Sequence, residues 1–282
     1  MVLANSMNLT IKGTMKTTEA PNNRTAIARS VLKQKLNGKS TLERGKERTL
    51  TALTRVYRWG WASSTTLEML MGTQRSGLAQ RLVKSGLLVS TKTQSRRNEK
   101  FLPGSFLTLT QDGKHMVEVD RMEPMFYEHR PERVNQNHLL HDEMAQRFTA
   151  ERLTAGVIGD YQTEKEMKAK SQNGIKNPDV VWLFPDGKKV SIEIELSPKW
   201  ERDLDTFVLS SLVSLSCKSG PARFDQLQIV TDAPAILKRY QKAFMPGASF
   251  RTWRKNESGR WTADEERFVP SWTNERICWE LV

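Results

Sequence analysis

Leu50, Leu53 and Tyr57 recur at helical spacing in a segment that starts near Leu42 and ends at Trp59-Gly60-Trp61, which predicts a first helix. Ser63-Ser64-Thr65-Thr66 then offers N-cap oxygens to a short second helix over 67–71, and Gly72 ends it. Residues 73–85 place Leu78, Leu82 and Val83 on one face and Gln74, Arg75, Gln80, Arg81 and Lys84 elsewhere. This predicts a third, basic helix that Gly86 closes. Two β-rich runs follow, 87–91 and 106–110, separated by Lys92, Arg96, Arg97 and Lys100. Three helices and a basic hairpin over 43–120 predict a winged helix-turn-helix, with the third helix in the major groove and the hairpin along the phosphate backbone. The closing run Leu109-Thr110-Gln111-Asp112-Gly113-Lys114 is read as the end of that wing. Residues 1–42 have too few apolar positions for a core-facing stripe and read as a disordered basic arm.

Pro124, Pro131 and mixed charges mark 121–136 as a linker. Beyond it, 137–245 reads as helix (138–153), strand (160–167), strand (179–184), strand (189–196), helix (200–215) and strand (227–231), the order αβββαβ. Short runs around Trp253, Trp261, Trp272 and Trp279 make 246–282 a β-rich C-terminal extension. The expected class is α+β: a winged helix-turn-helix followed by an αβββαβ domain.

The run Lys189-Val190-Ser191-Ile192-Glu193-Ile194-Glu195-Leu196 alternates strictly, so Glu193 and Glu195 share one strand face about 6.5 Å apart. Phe184-Pro185-Asp186-Gly187-Lys188 has the residues of a three-residue hairpin loop, with Gly at the left-handed position. Counting back from a Phe184–Lys188 pair sets Asp179 opposite Glu193. Opposed carboxylates repel each other unless a cation lies between them, and Mg2+ or Mn2+ is the cation this predicts. Glu164, in Thr163-Glu164-Lys165-Glu166, is the expected third acid and Glu166 its alternative. Such a set is a metal site for phosphodiester hydrolysis, with Glu164, Asp179, Glu193 and Glu195 as ligands.

Charge sharpens the division of labour. Residues 1–122 hold 21 Lys or Arg against 8 Asp or Glu, whereas 123–282 hold 23 against 24. Clustered cations are what a polyanion needs, so the basic half is the expected reader of double-stranded DNA through Gln74, Arg75, Arg81, Lys84, Lys92, Arg96, Arg97 and Lys100. No apolar run approaches the roughly 20 residues of a membrane span, and the first ten residues lack an export signal, so a cytoplasmic location without membrane insertion is expected. Cys217 and Cys278 have no partners at zinc-finger spacing. Glycine-rich phosphate loops and a His-hydrophobe-His triplet are absent, and none of Tyr57, Tyr127, Tyr161 and Tyr240 has the context of a nucleophile. His138 and His141, at i and i+3 on one helix, are expected to pack or hydrogen-bond, and the C-terminal tryptophans to pack in the core rather than stack on unpaired bases.

Asn177-Pro178-Asp179, about fourteen residues, then Glu193-Ile194-Glu195 within αβββαβ resembles the PD-(D/E)xK, restriction-endonuclease-like phosphodiesterase fold. With a winged helix in front, residues 45–235 are similar to the replication-relaxation superfamily, which includes plasmid MobC-type relaxases. The resemblance implies a nicking endonuclease that binds an origin of transfer on a plasmid or mobile element, cuts one strand during conjugative mobilization and hands it to a coupling protein. Asp179, Glu193 and Glu195 would then be catalytic. Glu195 occupies the position the fold usually gives to lysine, and Lys199 would supply the missing cation. The alternative is a site-specific DNA-binding protein, a replication accessory factor or autoregulator, with an inactive nuclease fold.

Overall fold

The computed structural model describes residues 38–94, 99–121, 124–168, 177–217 and 221–282. Most of the expected basic arm, and Arg96 and Arg97 of the hairpin, lie outside the described residues. The chain divides into two compact units, Met1–Arg48 and Thr49–Val282. The described part of the first opens helix α1 (Thr41–Trp59). There, Ser40 Oγ accepts the Glu43 N–H at 3.2 Å while Glu43 Oε2 accepts the Ser40 N–H at 2.6 Å, a reciprocal capping box.

In the second unit, α1 continues into α2 (Ser64–Leu70), α3 (Leu78–Lys84) and the antiparallel hairpin β1 (Leu88–Lys92) and β2 (Ser105–Leu109). Leu53, Val56, Leu67, Leu82, Leu107 and Leu109 are buried in one shared core, which is why the apolar spacing was readable. Ser63 caps α2, its Oγ accepting the Thr66 N–H at 3.0 Å.

Two details differ from expectation. The third helix starts at Leu78, because Arg75 (φ 49°) and Gly77 (φ 66°) adopt left-handed backbone that no α-helix can contain. Glu68 holds this turn, its Oε2 accepting the Ser76 N–H at 2.8 Å, so Gln74 and Arg75 precede the helix instead of lying on it. The expected end of the wing is the start of helix α4 (Gln111–Asp120). Thr110 caps it, accepting the Gly113 N–H at 3.1 Å, and a Cβ on Gly113 would fall 2.2 Å from the Leu87 carbonyl oxygen. The segment expected as a linker is tied down. The Tyr57 hydroxyl donates to the Met125 carbonyl at 2.7 Å, and the Tyr127 hydroxyl accepts the Leu109 N–H at 2.8 Å.

The remaining elements are α5 (Leu139–Thr154), β3 (Asp160–Thr163), α6 (Glu164–Lys168), β4 (Val180–Leu183), β5 (Lys189–Ile194), α7 (Glu201–Leu215), β6 (Gln226–Thr231), α8 (Pro234–Ala243), β7 (Ser249–Lys255), β8 (Trp261–Phe268), α9 (Thr273–Arg276) and β9 (Ile277–Leu281). The sheet runs β3-β4-β5-β6-β9, with β3, β4 and β5 antiparallel and β6 and β9 joining in parallel. The expected strand over 160–167 is therefore a short strand followed by a helix. The C-terminal segment is no separate extension, since β9 completes the sheet; β7 and β8 form a ribbon of their own.

Each sheet face is covered. Met144, Ala145 and Phe148 of α5 pack over Val180, Trp182, Ile192 and Ile194, while Phe207, Val208 and Leu212 of α7 cover Val181, Leu227 and Ile229. The two faces take alternate residues of each strand, as the period of two requires. Among the described residues, no helix is long and apolar enough to cross a membrane.

Candidate functional site

The site is built on the β4–β5 hairpin. Gly187 takes φ 89°, the left-handed value its loop position requires, and the Phe184 N–H donates to the Lys188 carbonyl at 2.9 Å. The ladder then runs from Leu183↔Lys189 to Val180↔Ile192. One step further, the Asp179 N–H donates to the Ile192 carbonyl at 3.1 Å, so Asp179 stands opposite Glu193 as counted from the turn. On the other side, the Glu164 N–H donates to the Asp179 carbonyl at 3.2 Å, one residue beyond Thr163↔Val180. Glu164, Asp179 and Glu193 thus form one row across three neighbouring segments.

Each acid has a distinct environment. Asp179 Oδ2 accepts the Ile194 N–H at 2.7 Å and lies 3.2 Å from His141 Nε2, while His141 Nδ1 lies 3.1 Å from Asp142 Oδ1. Asp142 is itself oriented by the Trp61 indole N–H at 3.3 Å. Burial opposes a charge on His141, but its hydrogen bonds to Asp142 and Asp179 outweigh that, and the imidazole is pushed up to about 10 from an ordinary 6.5. Glu195 is buried, ion-paired with the Lys199 ammonium, and accepts the Tyr240 hydroxyl at 2.7 Å. Burial beside Glu195 pushes the Tyr240 hydroxyl well above its usual range. Glu193 is also buried. An ionised carboxylate is kept in such a place only by partners, so this strand face is not a solvated one.

These side chains open into one cavity of about 990 Å³, lined by Glu164, Asp179, Glu193, Glu195, Lys199 and His141. Glu166 is elsewhere: the Arg58 Nε donates to it at 2.9 Å. Lys199 lies in the loop before α7 and reaches back to pair with Glu195.

Among the described residues, no three His, Cys, Asp or Glu side chains converge closely enough to hold an ion by themselves. Glu164, Asp179, Glu193 and Glu195 share the cavity with Glu99, Asp142 and Asp232 without sharing a point, and Glu195 is engaged by Lys199 and Tyr240. A magnesium ion is ordinarily held by one or two carboxylates, with water and substrate phosphate supplying the rest. The opposed pair Asp179 and Glu193 fits that smaller requirement, with Glu164 at the end of the row.

Comparison with protein-family models, curated proteins and solved structures finds no match to this chain. Its chemistry therefore has to be read from its own residues. Of the expected DNA-contacting residues, Arg81 and Lys84 are exposed on α3, Lys92 is exposed at the end of β1, and Gln74, Arg75 and Lys100 are exposed in loops. His141, Asp142 and Tyr240 complete the site. Sequence offered a hint only for the first, through the His138–His141 spacing.

The His141 pairing has a pH signature. A group whose folded value is raised contributes stability that is fully present below its unfolded value and is lost as pH rises through the folded one. In metal-free buffer, unfolding free energy should fall between about pH 6.5 and 10, on the order of 1–2 kcal/mol for this partly exposed pair. Urea denaturation of the parent and of His141→Gln across that range checks it, and the variant should lose the slope.

Proposed function

We propose that the chain is a DNA-processing phosphodiesterase that reads duplex DNA with residues 49–120 and nicks one strand at the acidic cavity with Mg2+ or Mn2+. The observation that carries this reading is the row Glu164, Asp179 and Glu193 opening into the same cavity as the Glu195–Lys199 pair. Further support comes from the order α5-β3-α6-β4-β5-α7-β6 with its antiparallel β3-β4-β5 and parallel β6, and from exposed Arg81 and Lys84 on the helix preceding a hairpin.

Asp179 and Glu193 would hold the ion, which when bound lowers the pKa of a water and steadies charge on phosphate oxygens. Lys199 places a cation beside Glu195, where it can meet the phosphate or the departing oxygen. His141, held between Asp142 and Asp179, would orient the Asp179 carboxylate toward the ion. The substrate proposed is an origin of transfer on a plasmid or mobile element, with relaxase activity in mobilization and a coupling protein as recipient of the strand.

One observation favours a second reading, a DNA-binding protein without cleavage: among the described residues no ready-made metal cage is present. Titrating magnesium chloride into the protein by calorimetry separates the two. The enzyme reading expects binding heat that Glu193→Gln removes, and the scaffold reading expects none.

A further inference from the structure

Trp200 follows directly on Lys199 of the cavity wall, and it is 62% exposed. The Arg239 guanidinium lies 3.6 Å from its ring centroid, held there by an Nε–H bond to the Lys199 carbonyl at 2.9 Å. Two residues on, Arg202 sits 5.2 Å over the ring of Trp261, which Lys255 also approaches at 5.4 Å. Trp261 is 47% exposed and pairs with Lys255 at the loop end of the β7–β8 ribbon, and every residue of β8 is exposed. Large indoles left in water contribute little to a fold, and here neither one fills the core.

Three of the neighbouring carboxylates are paired, while Glu201, between Trp200 and Arg202, is exposed. Asp203 pairs with Arg202 at 2.9 Å, and Asp205 accepts the Trp253 indole N–H at 2.9 Å and faces Arg251 at 3.5 Å. Asp264 faces Arg254 at 3.2 Å. Neither Arg239 nor Lys255 pairs with a carboxylate among the described residues. Partly exposed indoles with cations stacked over them match what an unpaired strand presents, bases to stack and phosphates to neutralise. Duplex DNA hides its base faces and cannot use the indoles.

We propose that Trp200 and Trp261, with Arg202, Arg239 and Lys255, form a track for single-stranded DNA that starts at the wall of the acidic cavity. The proposal deepens the nicking reading and rests on it for its purpose, since the strand held would be the one cleaved; its test needs no cleavage.

Anisotropy of a labelled oligothymidylate is measured with the full chain, metal-free, beside a labelled duplex and an oligouridylate. The parent should bind the oligothymidylate, and Trp200→Ala and Trp261→Ala should each weaken it by about 5- to 100-fold. Trp200→Phe should keep most of the affinity, Arg239→Gln should lose part of it, and duplex affinity should stay within about twofold. Both tryptophans are exposed, so thermal unfolding of the alanine variants should match the parent. Alanine variants that bind oligothymidylate as the parent does, equal losses on the duplex, or a parent that prefers oligouridylate would each overturn the track. Retained strand binding in a protein that never nicks would overturn the enzyme and leave the track standing.

Discussion

Asp179→Asn should reduce the nicking rate by at least about 1,000-fold while leaving duplex affinity unchanged. Asparagine preserves the acceptor that takes the Ile194 N–H at 2.7 Å, so the end of β5 keeps its backbone partner. What it removes is the negative charge opposite Glu193 and beside His141. Alanine is the poorer test, because it also strips the Ile194 N–H of its acceptor, at a cost of about 1–3 kcal/mol. The readout is the initial rate of open-circle formation from supercoiled DNA, with circular dichroism confirming an unchanged fold. An asparagine variant that nicks within threefold of the parent would remove Asp179 from the chemistry.

The largest loss of stability should come from Arg58→Ala. Arg58 is almost fully buried at the end of α1, donating to Glu166 Oε1 at 2.9 Å, to Asp160 Oδ1 at 3.0 Å and to the Tyr161 carbonyl, with its guanidinium 4.0 Å over the Tyr161 ring. Truncation leaves Glu166 largely buried without its principal cation, and removing one partner of such a set costs about 3–5 kcal/mol. Arg58→Lys should recover only part, because a point charge cannot serve three acceptors in a planar fork. Because Glu166 and Glu164 share α6, nicking should fall along with the urea midpoint. A destabilisation below about 1 kcal/mol would show that the network carries little.

Legibility in the sequence followed the range of the interaction that decides each feature. The β4–β5 register was countable because Pro185-Asp186-Gly187 is a local turn with one favoured geometry, and every pairing down to Asp179 and Glu193 follows from it. Glu164 and Glu166 were not separable in this way: Glu164 joins the row because it continues the β3–β4 ladder by one residue, a pairing that no local turn fixes. Helix α4 was missed because Gln111-Asp112-Gly113 carries no apolar stripe, and its strongest mark, the Thr110 cap, read equally well as a strand end. The start of α3 was placed too early because left-handed backbone at Arg75 is held by Glu68 from a preceding helix.

Long-range features left no local mark. Strand β9 pairs in parallel with β6 some fifty residues earlier, and Tyr240 meets Glu195 only once α8 has packed on the sheet. Trp261, expected in the core with the other C-terminal tryptophans, is 47% exposed because it lies on an uncovered ribbon, which its local sequence does not mark.

Incubating the parent protein with supercoiled DNA that carries its binding site, in magnesium or manganese and then with chelator in excess, tests the opposed Asp179–Glu193 pair as a working site. Open circles should form with either metal, stop on chelation and be lost in Asp179→Asn and Glu193→Gln. Tight, salt-sensitive binding of the same DNA with every molecule left supercoiled would contradict it.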